Sequence, residues 1–207
     1  MTQLDVQFAH AQVAYPGNSL EQAGDRFLIQ STETGSFVAV IDGLGHGPKA
    51  ADAALAAVDA FQADINRSVK DHLSFCSRAI RSTRGVAASI AQFSQKDSRL
   101  EWAGVGNVYA ALIRSDDTRK HETLLTRGGV VGFRLPTIHS AKLDVHPYDL
   151  LVFATDGINN GCLEEAPLKA APQVIADHIL ANHNRGTDDA LVVVVRFIPT
   201  ELQQPPV

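Results

Sequence analysis

Cysteine is scarce in this chain: Cys76 and Cys162 are the only two in 207 residues. One pair cannot frame a disulfide scaffold of that length, so a reducing cytoplasm is the expected setting. Positive charge is not in excess either. Eighteen Lys and Arg against 23 Asp and Glu leave a formal net charge of −5, with no basic stripe to track a phosphate backbone, so no nucleic-acid partner is expected. Long apolar runs are absent. The longest aliphatic stretch, Leu191 to Val195, falls far short of the ~20 residues needed to cross a bilayer, and no membrane association is expected. The opening residues, Met1 to Tyr15, have neither the basic start nor the apolar block of a signal peptide.

What is there is ordinary for a globular chain: 45% hydrophobic and 20% charged residues, which excludes a disordered or fibrous polymer. No internal repeat and no linker divides it. One domain over residues 1–198 is expected, with a frayed tail over 199–207 that holds Gln203-Gln204-Pro205-Pro206. A monomer is the favoured state.

Alternation of Leu4, Val6 and Phe8 against polar neighbours predicts a strand over Leu4–Val13, broken by Pro16-Gly17-Asn18. Arg26–Thr32 and Phe37–Ile41 flank Glu33-Thr34-Gly35-Ser36 as a hairpin. Pro48 suits a helix start, and Leu55, Val58, Phe61 and Ile65 recur at helical spacing. A second helix is expected over Val69–Ser82, with Val69, Leu73, Cys76 and Ile80 on one face. Strand-like segments follow at 85–93, 100–105, 108–114, 122–126, 138–145 and 150–155. A third helix is expected near Leu168–Asn182, and Val192–Phe197 reads as a central buried strand. Many hairpin-like strands with few helices predict an α+β fold: a β-sandwich of two antiparallel sheets flanked by helices.

The chemistry concentrates in acids at strand ends. Asp42-Gly43 closes Phe37–Ile41, Asp156-Gly157 follows Leu151–Thr155, Asp25 opens a strand, and Asp188-Asp189 leads into Leu191–Val195. A carboxylate on the rim of a buried strand is costly without a compensating cation, and no Lys or Arg cluster is placed to serve them all. Oxygen ligands without His or Cys companions select hard ions, Mg²⁺ or Mn²⁺. Glycine after each aspartate would let the backbone turn sharply and offer a carbonyl to a metal. Four carboxylates carry the charge that two dications neutralise. Taken singly, each Asp-Gly is as readily a turn dipeptide; taken together they point to a metal site.

Asp42-Gly43, Thr155-Asp156-Gly157 and Asp188-Asp189 resemble, in order and spacing, the metal-dependent type 2C protein serine/threonine phosphatases. Asp42-Gly43-Leu44-Gly45-His46-Gly47 with an Ala-rich helix behind it is similar to the compact bacterial SpoIIE-like branch, including its stand-alone stressosome phosphatases. The resemblance implies that Asp42 bridges two Mn²⁺ or Mg²⁺ ions and the Gly43 carbonyl binds one. It further implies that Asp156 and Asp188 hold the second ion, and that Asp25 reaches metal directly or through water. Asp189 would stand behind the ligands, so Asp189→Asn is expected to do far less harm than Asp42→Asn. The implied activity is hydrolysis of phosphoserine or phosphothreonine in partner proteins by metal-activated water, with phosphorylated signalling proteins, stressosome subunits among them, as partners in a stress response.

There are departures from that pattern. The His that many type 2C enzymes carry two residues after the bridging aspartate is Leu44 here, and His46 is expected to be structural. Leu191 stands where the last motif often has threonine, and no arginine stands out as a phosphate clamp. No G-x-S-x-G elbow or Cys-x5-Arg loop offers a nucleophile. Gly104-Val105-Gly106-Asn107 is a poor nucleotide loop, lacking a third glycine and a following helix. Gly128-Gly129-Val130-Val131-Gly132 is expected to be a flexible connection near the cleft. The rival readings are a catalytically silent phosphoprotein-binding module of the same fold and a Mg²⁺-dependent phosphodiesterase, the latter disfavoured by the net charge.

Overall fold

The computed structural model describes residues 3–32, 34–116 and 121–200. Glu33 of the expected hairpin turn, Asp117, and 201–207 of the expected tail lie outside them. Among the described residues, ten strands form two antiparallel sheets. Sheet A orders β1 (Leu4–Val13), β10 (Ala190–Pro199), β9 (Leu150–Ala154), β6 (Tyr109–Ile113) and β7 (His121–Thr123). Sheet B orders β2 (Asp25–Thr32), β3 (Gly35–Gly43), β4 (Val86–Ser94), β5 (Arg99–Val105) and β8 (Ala141–Asp144). This is the expected α+β sandwich. Alternation puts Val38, Val40, Trp102, Leu151, Phe153 and Val193 between the sheets. β10 is buried on both faces from Ala190 to Val195, as its unbroken apolar run requires. It runs on to Pro199, opposite Leu4, and Thr200 N–H donates to Gln3 O, so the sheet reaches past the expected domain boundary at residue 198.

Helices α1 (Pro48–Gln62) and α2 (Val69–Ala79) cover sheet B, and α3 (Pro172–His183) covers sheet A. Helix α2 buries Val69, Leu73 and Cys76, with Ile80 just past its end, as the spacing predicts. Helix α1 starts at Pro48 as expected, but of the residues that mark its spacing only Phe61 is fully buried. Leu55 is 47% exposed, Val58 is half-buried, and Ile65 lies beyond the helix end. The face against the sheet is Ala50, Ala53, Ala54, Ala57 and Ala60, with Phe61 the one large side chain. Close approach is the reason: a Cβ added at Gly43 would collide with the Ala50 carbonyl, so the helix lies too near the sheet for branched side chains.

The glycine-rich 128–132 segment is also pinned rather than flexible. Val131 is buried and exchanges backbone hydrogen bonds with Val86, and Gly132 N–H donates to the Ser77 hydroxyl at 3.0 Å.

Candidate functional site

The acids come together because of strand register. Thr32 opposes Gly35 across the β2–β3 hairpin, and the pairing continues in step until Asp25 opposes Asp42 at the far end. In sheet A, Val192 opposes Ala154, so Asp156, just past β9, and Asp188-Asp189, just before β10, share one end. Contacts between the sheets join the two ends. Thr155, 2% exposed, donates its hydroxyl to Asp25 Oδ2 at 2.6 Å and accepts from Leu191 N–H at 2.9 Å. Asp189 accepts from Tyr15 N–H at 2.7 Å through Oδ1 and from Gly24 N–H at 2.6 Å through Oδ2.

Each acid meets a different environment. Asp25 is buried, and burial first, then repulsion from Asp189, Asp156 and Asp188, pushes its carboxyl up to about 8, against the lowering effect of the Thr155 hydrogen bond. Asp42 is half-buried and pushed up to about 9, by burial first and then by Asp25, Asp156, Asp188 and Asp189. Asp188 is raised by burial, opposed by the hydrogen bond from Asp189 N–H. Asp156 is exposed, and its Oδ2 accepts from Asn107 Nδ2 at 2.6 Å. These mutual repulsions place the expected metal residues in one cluster.

Among the described residues, no Lys or Arg pairs with any of these acids, and no three acid, imidazole or thiol groups close on a single point as a finished cage. The cluster is an assembled but open set of hard oxygen donors, two of them driven toward protonation by burial and mutual repulsion. A divalent cation fits that donor set, since it supplies the charge that the fold withholds.

One expectation changes here. Gly43 lies in β3 rather than in a turn, while Gly157 sits in the turn closed by Ile158 N–H on Thr155 O; neither has a left-handed backbone. Glycine is needed for room, because a Cβ at Gly43 would strike the Ala50 carbonyl and one at Gly157 the Asp189 carbonyl. His46 is exposed at the rim, and its ring stacks on Tyr15 with centroids 4.9 Å apart, a structural contact. Asp189 is buried and accepts from two backbone amides, a position behind the other acids. Cys76 and Cys162 are buried, and burial pushes the Cys76 thiol up to about 12, which leaves neither suited to nucleophilic attack.

Thr155, Asn107 and Tyr15 were not among the sequence-derived site residues. Thr155 adjoins a picked aspartate and could have been read from its position. Asn107 follows Gly106, whose φ of +94° turns the chain back toward Asp156; that turn is marked in the sequence, but its target is not.

Over 85 residues the chain is 29% identical to the phosphoserine phosphatase RsbX of Bacillus subtilis (strain 168), a match covering 41% of this chain and 43% of that protein. The matched stretch therefore spans less than half the length of that curated relative. A solved structure described under the bacterial stressosome, a modular system adapted to control secondary messenger signalling, is 28% identical and covers 94% of this chain and 100% of its own, with a TM-score of 0.81. A crystal structure of RsbX in complex with magnesium, at 21% identity, shares the fold with a TM-score of 0.81 over 95% of this chain and 100% of that one. The defining pattern of the stage II sporulation protein E (SpoIIE) family matches residues 32–198, and the chain belongs to that family.

Proposed function

We propose that the chain is a metal-dependent serine/threonine phosphoprotein phosphatase in which Asp25, Asp42, the Gly43 carbonyl, Asp156 and Asp188 hold two Mg²⁺ or Mn²⁺ ions. The observation that carries this reading is the convergence of carboxylates from four separate segments with no cationic side chain paired to them. When bound, such ions lower the pKa of water and neutralise charge on a phosphoryl group. The chain's own contribution is positional. Asp25 and Asp42 come from adjacent strands, Thr155 orients Asp25 by its hydroxyl, and Asn107 orients Asp156. Asp189 fixes the two loops that frame the cluster. Membership of the SpoIIE family and the likeness to a phosphoserine phosphatase support phosphoserine or phosphothreonine as substrate. The likeness to a stressosome structure supports phosphorylated stressosome subunits in the cytoplasm as partners, with dephosphorylation acting as negative feedback.

Turnover of p-nitrophenyl phosphate and of a phosphoserine peptide is tested with Mn²⁺ or Mg²⁺ and then with EDTA. Chelator-sensitive release of phosphate from both, abolished by Asp42→Asn, is expected. No turnover with either metal would leave the silent binding module, and cleavage of a diester but no monoester would favour the phosphodiesterase.

A further inference from the structure

A groove leads away from the acid cluster over the outer face of sheet A. Its first chamber, about 470 Å³, is lined by Asp156, Asn107, Thr155, Arg185 and Leu163. A second, about 570 Å³, is lined by Leu163, Ala166, Pro167, Leu168 and Ala170, with Lys169 beside them. His121, Leu163 and Glu164 line both, so the two chambers adjoin.

Arg185 is held beside Asp156 by backbone rather than by its side chain. Its N–H donates to Gly157 O at 2.8 Å, and Asn159 N–H donates to His183 O at 2.8 Å, which fastens the Asp156-Gly157 turn to the end of α3. Among the described residues, the Arg185 guanidinium is in no ion pair, and it is the only Arg or Lys lining the chamber that Asp156 lines.

Resting on the phosphatase reading, we propose that this groove seats the polypeptide that flanks the phosphorylated residue of the substrate. Arg185 faces the phosphoryl end, and the Ala166–Ala170 chamber takes an apolar side chain of the same segment. Charge and the adjoining chambers select this occupant. A phosphomonoester brings roughly −1.5 to −2 charges toward a cluster of acids, and a guanidinium offers paired N–H donors that match phosphoryl oxygens. The sequence shows no arginine in a clamp position because Arg185 lies far from the early strands, and the turn anchored to α3 brings it to the cluster. Past Arg185 the wall is largely apolar at Leu163, Pro167 and Leu168, with Lys169, among the described residues, the one cation lining it, which suits an aliphatic side chain of the segment.

The test uses the whole chain with Mn²⁺ and phosphoserine peptides of Gly/Ser flanks in which one leucine is walked through every flanking position. One leucine position is expected to lower KM about tenfold, the order of effect of burying such a side chain. Ala170→Trp, which fills the second chamber, should bring the ratio of kcat/KM between that peptide and the leucine-free peptide to near one, and Ala170→Ser should keep it. Arg185→Ala should raise KM for the leucine-free peptide about tenfold, with partial recovery in Arg185→Lys. A wild-type protein that turns over every peptide with no leucine preference overturns the groove, as does a preference that survives Ala170→Trp, while the phosphatase reading stands. An unchanged KM in Arg185→Ala overturns the role of that residue. No turnover of any phosphoester overturns the phosphatase reading, and the groove with it.

Discussion

The Thr155 hydroxyl donates to Oδ2 of Asp25 across 2.6 Å, and the two residues belong to opposite sheets. The Thr155 hydroxyl oxygen in turn accepts the Leu191 N–H at 2.9 Å, so one side chain ties β2 of sheet B to β10 of sheet A. Both Thr155 and Asp25 are 2% exposed, so the bond lies out of solvent. An acid at this position would otherwise be buried with nothing to donate to it.

Thr155→Val keeps the shape and removes the donor. It should cost about 1–3 kcal/mol, the usual range for leaving buried polar groups without a partner, while Thr155→Ser should keep most of the stability. Urea midpoints in metal-free buffer measure this. A valine variant that unfolds with the wild type would mean the hydroxyl carries no net stabilisation.

Asp42→Asn should stabilise the metal-free protein more at pH 9 than at pH 5. Asp42 ionises near 3.8 when unfolded but only near 9 when folded, so between those values the folded chain holds the extra proton. Stability from this group is present at low pH and is lost as pH rises through that window. At pH 9 the variant should melt at least ~2–4 °C above the wild type, equivalent to about 1 kcal/mol for a chain of this size. Equal melting temperatures at both pH values would contradict the crowding of acids around Asp42.

Adding Mn²⁺ or Mg²⁺ should raise the wild-type melting temperature, since a ligand that binds only the folded state stabilises it by mass action. The shift should grow from pH 6 to pH 8 as the raised Asp25 and Asp42 release protons to admit the cation. Asp42→Asn should shrink it strongly. Differential scanning fluorimetry across metal concentration reads this without any substrate.

Asp189→Asn should cost about 1–3 kcal/mol, because an amide can accept only one of the two hydrogen bonds that Tyr15 and Gly24 give the carboxylate. Chemical denaturation measures it. A variant as stable as the wild type would mean that the two backbone hydrogen bonds on Asp189 carry no net stabilisation.

His72 sets a separate acid limit. It is buried, stacked 4.4 Å from Phe37, and burial lowers its pKa below the ordinary 6.5. The unfolded chain takes up the proton first, so this contribution is complete above about pH 6.5 and is lost as pH falls below it. His72→Leu should flatten the decline of stability between about pH 6.5 and pH 5, read from urea midpoints. A slope unchanged by the variant would assign that decline to other groups.

Much of the scaffold is written in local pattern. Alternation from Leu4 to Val13, broken at Pro16, gives β1 to the residue, and Val69, Leu73, Cys76 and Ile80 give the buried side of α2. Helix α1 is legible from Pro48 and its apolar spacing, but which of its residues are buried is not: the sheet comes so close at Gly43 that alanines line the contact. Gly43 is a contact residue in β3 rather than a turn former, whereas Gly157 both lies in the turn after β9 and leaves room for the Asp189 carbonyl. The Asp25–Asp42 pairing was available by counting outward from Thr32 and Gly35 across the hairpin.

By itself the sequence determined which residue types could do chemistry: acids at strand ends, with no Lys or Arg cluster placed to serve them all and without a usable nucleophile. It determined the layers as well, because strand and helix periods are local properties of the chain. Only the tertiary structure decided that Asn107, Tyr15, Thr155 and Arg185 belong around those acids, and that Asp189 serves backbone amides. Those relations join residues as far apart as Gly24 and Asp189. They depend on how two sheets face each other and on which loops meet at their common end, and no spacing along the chain encodes that.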